Sequence, residues 1–302
     1  MENILLELIN KKEYEYIGEG YNSKSYRFII NSKKYILLKG QISESSICYE
    51  QSYKSIKFLN NEGNPYIKSV KIPNKGIIVI KPNDKNIFFK NGCLFYEEIE
   101  GLIFYEKYFN KINKENIANK LSAFLYELYN IPINNSDVQR SKNYIISQFN
   151  GDIETVKNYF EGKNIDKINE FEKEFLEYFN EFDDYHYTHG DLWEENMIIS
   201  DDYQELIGIV DFDNFILGDI AKDFASLLDL GFDFVNLLVQ KNEKCFKDKN
   251  DFIKRIKLYE KKIVIDDLAY ILGSDNLKWR LNSKLEELKK LCLIWKFFLK
   301  GK

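Results

Sequence analysis

Short runs of β-branched and aromatic residues open the chain, at positions 13–18, 25–30 and 34–39. The turn formers Gly20-Tyr21-Asn22 and Asn31-Ser32-Lys33 separate them. Runs of this kind bounded by Gly, Asn and Ser predict strands. Residues 43–60 begin with Ser/Glu-rich capping material and stop before Asn61-Glu62-Gly63-Asn64-Pro65, which predicts a helix. Further strand candidates follow at 66–72, 76–80 and 93–99. The pattern is a small sheet with one helix inserted.

After Gly101 the period changes. Ile117, Leu121, Phe124, Leu125 and Leu128 recur at helical spacing within 113–129, and Ile168, Phe171, Phe175 and Phe179 do so within 165–182. Each set marks one buried helix face. Two short strands, 196–200 and 205–212, interrupt the helices, and 219–230 and 277–299 are helix-compatible again. All prolines (Pro65, Pro73, Pro82, Pro132) lie in the first half. No internal repeat and no low-complexity linker separates the halves, so a compact joint is expected near 97–101.

Composition narrows the function classes. The 302 residues are 44% hydrophobic and 16% aromatic, ample for sizeable cores. A net charge of −5 argues against a general nucleic-acid binder, which shows a basic balance. The start, Met1-Glu2-Asn3-Ile4-Leu5-Leu6-Glu7, lacks a basic region, and no run approaches the ~18 apolar residues of a membrane-spanning helix. Cys48, Cys93, Cys245 and Cys292 are scattered, and His186 and His189 are the only histidines, so no structural zinc site is expected. The expectation is a soluble, cytoplasmic protein with reduced thiols.

The informative stretch is His189-Gly190-Asp191-Leu192-Trp193-Glu194-Glu195-Asn196. An Asp followed five residues later by Asn, with His two before the Asp, is the spacing of a kinase catalytic loop. One carboxylate there orients, and accepts a proton from, an attacking hydroxyl, while the amide a turn later reaches a metal ion on the phosphates. Taken alone, the pattern is equally compatible with a core histidine and a turn aspartate. Twenty residues after Asp191, the apolar run Leu206–Val210 ends in Asp211-Phe212-Asp213. A carboxylate at the end of a buried strand is costly unless it is paired or metal-bound. The order, the separation and the strand–loop context together point to phosphoryl transfer.

These segments, with Gly218-Asp219-Ile220-Ala221-Lys222-Asp223 downstream, resemble the aminoglycoside phosphotransferase/choline kinase family. In the first third, Ile17-Gly18-Glu19-Gly20-Tyr21-Asn22-Ser23 resembles its nucleotide loop and Tyr96-Glu97-Glu98-Ile99-Glu100-Gly101 its interlobe hinge. The resemblance implies an α+β, bilobal, protein-kinase-like fold. A nucleotide-binding lobe would take residues 1–98, with a small antiparallel sheet and one helix, and a mainly helical catalytic and substrate-binding lobe would take 99–302. It implies Asp191 as catalytic base, and Asn196 and Asp211 as holders of Mg²⁺. Lys39 would lie on the α/β-phosphates, with Glu50 paired to it. The backbone of Gly20, Tyr21, Asn22 and Ser23 would lie over the phosphates, and the purine of ATP or GTP against Glu97 and Ile99. Asp219 and Asp223 would cap a helix beside the catalytic loop.

No proline follows Pro132, so the Ala-Pro-Glu element of protein kinases does not exist here, and a small-molecule acceptor is expected. Glu194, Asp213, Asp229 and Asp233 would hold a polycationic aminoglycoside through charge-assisted hydrogen bonds. The alternatives are choline, homoserine or another metabolite on the same core, and a nucleotide-binding pseudokinase without turnover. No nucleic-acid or membrane partner is expected.

Overall fold

The structure is a computed structural model that describes residues 2–20, 23–42, 44–83 and 87–291. Tyr21 and Asn22 of the expected nucleotide loop, Ser43 at the expected helix start, and residues 292–299 of the expected last helix lie outside the described residues. The chain forms two compact units, one built from Met1–Leu128 and His189–Phe215, the other from Tyr129–Thr188 and Ile216–Lys302.

In the first unit, α1 (Glu2–Lys11) precedes an antiparallel sheet of β1 (Glu15–Glu19), β2 (Ser23–Ile30), β3 (Lys33–Gly40), β4 (Ile78–Ile80) and β5 (Cys93–Glu97). Its spatial order is β1-β2-β3-β5-β4. Successive strand residues face opposite sides, and each side of this sheet has its own cover. Tyr35, Leu37, Phe28, Cys93 and Phe95 form one face with Leu5 of α1, whereas Ile36, Leu94 and Tyr96 form the other with Tyr49 of α2 (Ser45–Asn60). Residues 66–72 form no strand. Their one sheet-like contact is the bridge from Lys71 to Gly208, where the Lys71 N–H donates to Ile207 O at 2.8 Å and the Ile209 N–H donates to Lys71 O at 2.9 Å. A single bridge between loop and strand does not propagate a ladder.

The same unit contains α3 (Lys114–Tyr129, its last residue apart) and a second sheet of β6 (Leu102–Ile103), β8 (Met197–Ile199) and β9 (Leu206–Ile209) in the order β6-β8-β9. The helical stripe of α3 is fully buried at Ile117, Leu121, Phe124, Leu125 and Leu128, as its period predicts.

The second unit holds α4 (Asn135–Lys157), α5 (Lys163–Glu181), the pair β7 (His186–Thr188) and β10 (Ile216–Gly218), then α6 (Ala221–Ala225), α7 (Phe232–Lys241), α8 (Lys249–Gly273) and α9 (Leu281–Lys290). Helix α4 was not foreseen. It is rich in Asn, Ser and Asp, which dilute its apolar stripe, and it starts where the Asn134 side chain accepts from the Ser136 N–H. The helix expected over 219–230 is only α6 followed by a 3₁₀ turn, Leu228–Leu230, which stops at Gly231 with φ +93°. Of the stretch 277–291, α9 covers the second part, after a 3₁₀ segment Asp275–Arg280. No helix among the described residues is long and apolar enough to cross a membrane.

A buried ionic knot anchors this unit. Arg255 of α8 donates through Nη1 to Asp219 Oδ1 at 2.6 Å, the Tyr178 hydroxyl of α5 donates to Asp219 Oδ2, and the Ala221 N–H donates to Asp219 Oδ1 at 2.9 Å. A charge so deeply placed is tolerable only with this many partners. Asp219 therefore starts α6 and locks two other helices to it. A weaker arrangement occurs between α4 and α8, where burial, with the Asp266 charge adding to it, pushes the Asp152 carboxyl up to about 6. The folded-state value exceeds that of an ordinary aspartate, 3.8. Ionised Asp152 therefore costs stability above about pH 6 and nothing below the unfolded value. Asp152→Asn is expected to raise unfolding stability by ~1–2 kcal/mol at pH 8 and to change nothing at pH 3.5. Denaturant unfolding at the two pH values checks this.

Candidate active site

The catalytic-loop sequence folds around its own backbone. Gly190 has φ +81°, and a Cβ there would lie 2.2 Å from the Asn214 carbonyl oxygen, so only glycine fits between His189 and Asp191. His189 is fully buried; its Nδ1 lies 3.4 Å from the Asp191 N–H and its Nε2 3.0 Å from Val210 O. These partners assign a neutral ring that accepts at Nδ1 and donates from Nε2. The ring rests against Phe212, with centroids 4.7 Å apart. The histidine is a strut between the loop and the strand end.

Asp191 lies at the centre of this loop. The Asn196 side-chain amide donates to the Asp191 carbonyl at 2.8 Å, and the Trp193 N–H donates to the same oxygen at 3.0 Å. The Val210 N–H in turn donates to the Asn196 carbonyl at 2.9 Å. Asn196 thereby ties the loop to the strand that leads to Asp211. Sequence reasoning missed one contact: the Trp193 indole N–H donates to Asp191 Oδ1. The hydrogen bond fixes one carboxylate oxygen, so Oδ1 and Oδ2 are not equivalent. A tryptophan two residues after a catalytic-loop aspartate is a signal the residue types alone could have supplied.

Asp211 has φ +67°, a left-handed conformation uncommon outside glycine. That turn brings Asp211 and Asp213 into side-chain contact. Water reaches Asp211, but protein crowds it on most sides. Desolvation, then repulsion from Asp213 and Asp191, holds its carboxyl well above the ordinary range. Desolvation raises Asp213 as well. Two touching carboxylates cannot both ionise without a cation between them. Among the described residues no group of three His, Cys, Asp or Glu closes a metal site by itself. Mg²⁺ needs less, because it is held by one or two carboxylates plus phosphate oxygens and waters. The all-oxygen donors Asp211 and Asp213 fit that ion, with the Asn196 amide oxygen as a third candidate. Cys48 of α2 adjoins this pair, and desolvation, followed by the two aspartate charges, pushes its thiol up to about 11.

The Gly20 N–H donates to Ser23 O at 2.9 Å. Gln41, just after β3, joins the same two residues by donating to Gly20 O at 2.9 Å and Ser23 O at 3.2 Å. At the strand end, the Glu97 N–H donates to Lys75 O and the Glu98 N–H to Lys34 O, at 2.8 and 2.9 Å. Glu98 also accepts two hydrogen bonds from Arg27, at 2.8 and 2.7 Å. Of the expected purine contacts, the Glu97 N–H is thus already engaged. Ile99 is the next position whose backbone faces no such partner among the described residues.

The structure does not bring Lys39 and Glu50 together. Lys39 pairs with Cys93 in register, and its Nζ lies over the Phe88 ring, 4.6 Å from the centroid. Phe88 and Cys93 belong to the α1-covered face, whereas Glu50 is on α2, which covers the other. Strand alternation alone separates the two. Glu194 lies half-buried in the catalytic loop, and Asp229 and Asp233 are exposed on the second unit.

The model of a phosphotransferase enzyme family matches residues 14–243. A GDP and kanamycin complex of an APH(2") enzyme is 17% identical, with TM-score 0.72, covering 97% of this chain and 99% of its own. The streptomycin–ATP–APH(2")-IIa ternary complex is 19% identical, with TM-score 0.69 and 97% of each chain covered. Macrolide 2'-phosphotransferase type I is 14% identical, with TM-score 0.63, covering 95% and 96%. No curated protein sequence matches. The overall fold is therefore the kinase-like fold of these enzymes, as expected from the sequence.

Trp193→Phe keeps the ring and deletes the N–H. It is expected to lower kcat about tenfold while nucleotide KM and the melting temperature stay unchanged, since ~1.4 kcal/mol is tenfold in rate. Steady-state kinetics with a parallel thermal melt checks the split.

Proposed function

This chain belongs to the phosphotransferase enzyme family, and we propose that it transfers the γ-phosphoryl group of ATP or GTP to a hydroxyl of an aminoglycoside. The observation that carries the reading is the Asp191 carboxylate, pinned by the Trp193 indole on a loop that Asn196 bonds to the strand bearing Asp211. Residues 1–98 serve as the nucleotide-binding lobe and 99–302 as the catalytic and acceptor lobe, in a protein that works in the cytoplasm.

Asp191 orients the acceptor hydroxyl and takes its proton at Oδ2 as the new oxygen–phosphorus bond forms; the bond from the γ-phosphorus to the β-phosphate oxygen breaks, and the nucleoside diphosphate leaves. Positioning supplies most of the acceleration, because the phosphoryl group needs little covalent help. Asn196, Asp211 and Asp213 would hold Mg²⁺, and the chemistry it would supply when bound is neutralisation of charge on the phosphate oxygens. Backbone N–H groups at Gly20–Ser23 meet the phosphates, and Ile99 meets the purine.

Three features support a cationic acceptor. The chain has a net charge of −5. Asp213 and Glu194 lie beside Asp191 in the sequence or the fold, and Asp229 and Asp233 are exposed carboxylates. The structures of similar fold include complexes with kanamycin and with streptomycin. Carboxylates that meet ammonium groups give the short, strong hydrogen bonds such an acceptor needs.

A coupled turnover assay with Mg²⁺ tests the reading, with ATP and GTP offered separately. Its acceptor panel holds several aminoglycosides, choline, ethanolamine, homoserine and a methylthio-sugar. Fast turnover with an aminoglycoside is the expected result; turnover with a small metabolite alone would keep the chemistry and replace the acceptor. Asp191→Asn is expected to reduce kcat by roughly 10³-fold or more and to leave nucleotide affinity within about twofold. Near-full turnover by that variant would remove Asp191 from its role.

A further inference from the structure

Strand β3 decides what the inner face of the first sheet offers to a nucleotide. Its residues alternate: Tyr35 and Leu37 pack on the α1 side, and Ile36 and Leu38 on the α2 side. Lys39 continues the first series, next to Cys93 and above Phe88. The β3 residues that meet α2 are Ile36 and Leu38, both aliphatic, and Gly40, which lies against Ser45. On α2, the residues turned into the protein are Ser45, Tyr49, Ser52, Ser55, Ile56 and Leu59, with no acidic group among them. The seam between β3 and α2 is therefore built without charge on either side.

Tyr49 occupies the middle of this seam. Its ring packs with Ile36, Leu94 and Tyr96, and it is 5% exposed. Its hydroxyl is buried and makes no hydrogen bond of good geometry among the described residues. Ser23 is its polar neighbour, and the Asp211 carboxylate and Cys48 thiol lie within electrostatic reach. Desolvation holds the Tyr49 phenol protonated, as a donor. A buried donor without a good acceptor, near Ser23 and within electrostatic reach of Asp211, is costly unless a ligand supplies the acceptor.

We propose that this chain binds its triphosphate without a strand–helix ion pair: the Tyr49 hydroxyl is the side-chain donor to the phosphates at the inner face of the sheet, and Lys39 takes no part. The proposal rests on the phosphotransferase reading and deepens it. A neutral clamp leaves charge neutralisation to the cation at Asp211 and Asp213, and phosphate orientation to Tyr49. Tyr96, buried on the same face and raised to beyond the ordinary phenol range by desolvation and then by Asp211, adds a second neutral hydroxyl there.

The test is nucleotide affinity of the full chain, measured by calorimetry with Mg²⁺ and ATP or GTP and no acceptor. Tyr49→Phe keeps the ring in the seam, and its melting temperature in the absence of nucleotide confirms the fold. The expected result is about tenfold weaker binding for Tyr49→Phe and a dissociation constant within about twofold of the original for Lys39→Ala. Loss of tenfold or more in Lys39→Ala, or unchanged binding in Tyr49→Phe, overturns the neutral clamp while leaving the phosphotransferase reading intact. If Tyr49→Phe does not fold, Tyr49→Trp and Lys39→Ala decide it, with loss confined to the former required. Failure of the unmodified chain to bind either nucleotide overturns the phosphotransferase reading and the clamp with it.

Discussion

The hydrogen bond from the Asn196 amide to the Asp191 carbonyl organises the first unit's chemistry. It closes the catalytic loop on itself, and the Asn196 carbonyl then accepts from Val210, one residue before Asp211. Two carboxylates that repel one another are thereby held on a common frame. Neither could choose that position unaided, since desolvation and mutual repulsion both favour letting them part. The backbone absorbs the conflict, in the left-handed conformation of Asp211 and the glycine-only contact of Gly190 with Asn214.

The second unit solves a comparable problem with different means. Asp219 is buried, yet it has a guanidinium, a phenol and a backbone N–H. Such a site is satisfied, and its role is to fix α5, α6 and α8 to one another. Asp211 and Asp213 share their surroundings with carboxylates and a thiol instead of a cation. The contrast separates a carboxylate whose partners neutralise it from a pair whose charges repel.

Local pattern made the first sheet, α2, α3 and α5 legible, because each alternates or repeats with the period of its element. The segment His189–Asn196 could be picked out for another reason: its residue types and spacing form a motif that needs no long-range information to see. Helix α4 was not, since its polar sequence forms a helix under tertiary contact with α8 that no single window contains. Residues 66–72 read as a strand by composition and lack the neighbours a strand requires. Lys39 illustrates the limit most sharply. Its place at the end of β3 was visible, but its side of the sheet depends on register, and a one-residue shift reverses every side chain. Trp193 was visible as an aromatic two residues after Asp191; that its indole nitrogen binds that aspartate required coordinates.

The placement of Lys39 above Phe88 also bears on chemical labelling. Reagents that deliver an acyl group from a nucleotide analogue depend on an amine beside the phosphates. On this sheet the amine at the end of β3 faces away from α2, and the groups nearest Asp211 on α2 are a thiol and a phenol. In the binding mode proposed above, Lys39 is not beside the phosphates, so its labelling by an amine-directed nucleotide probe does not report occupancy of the site.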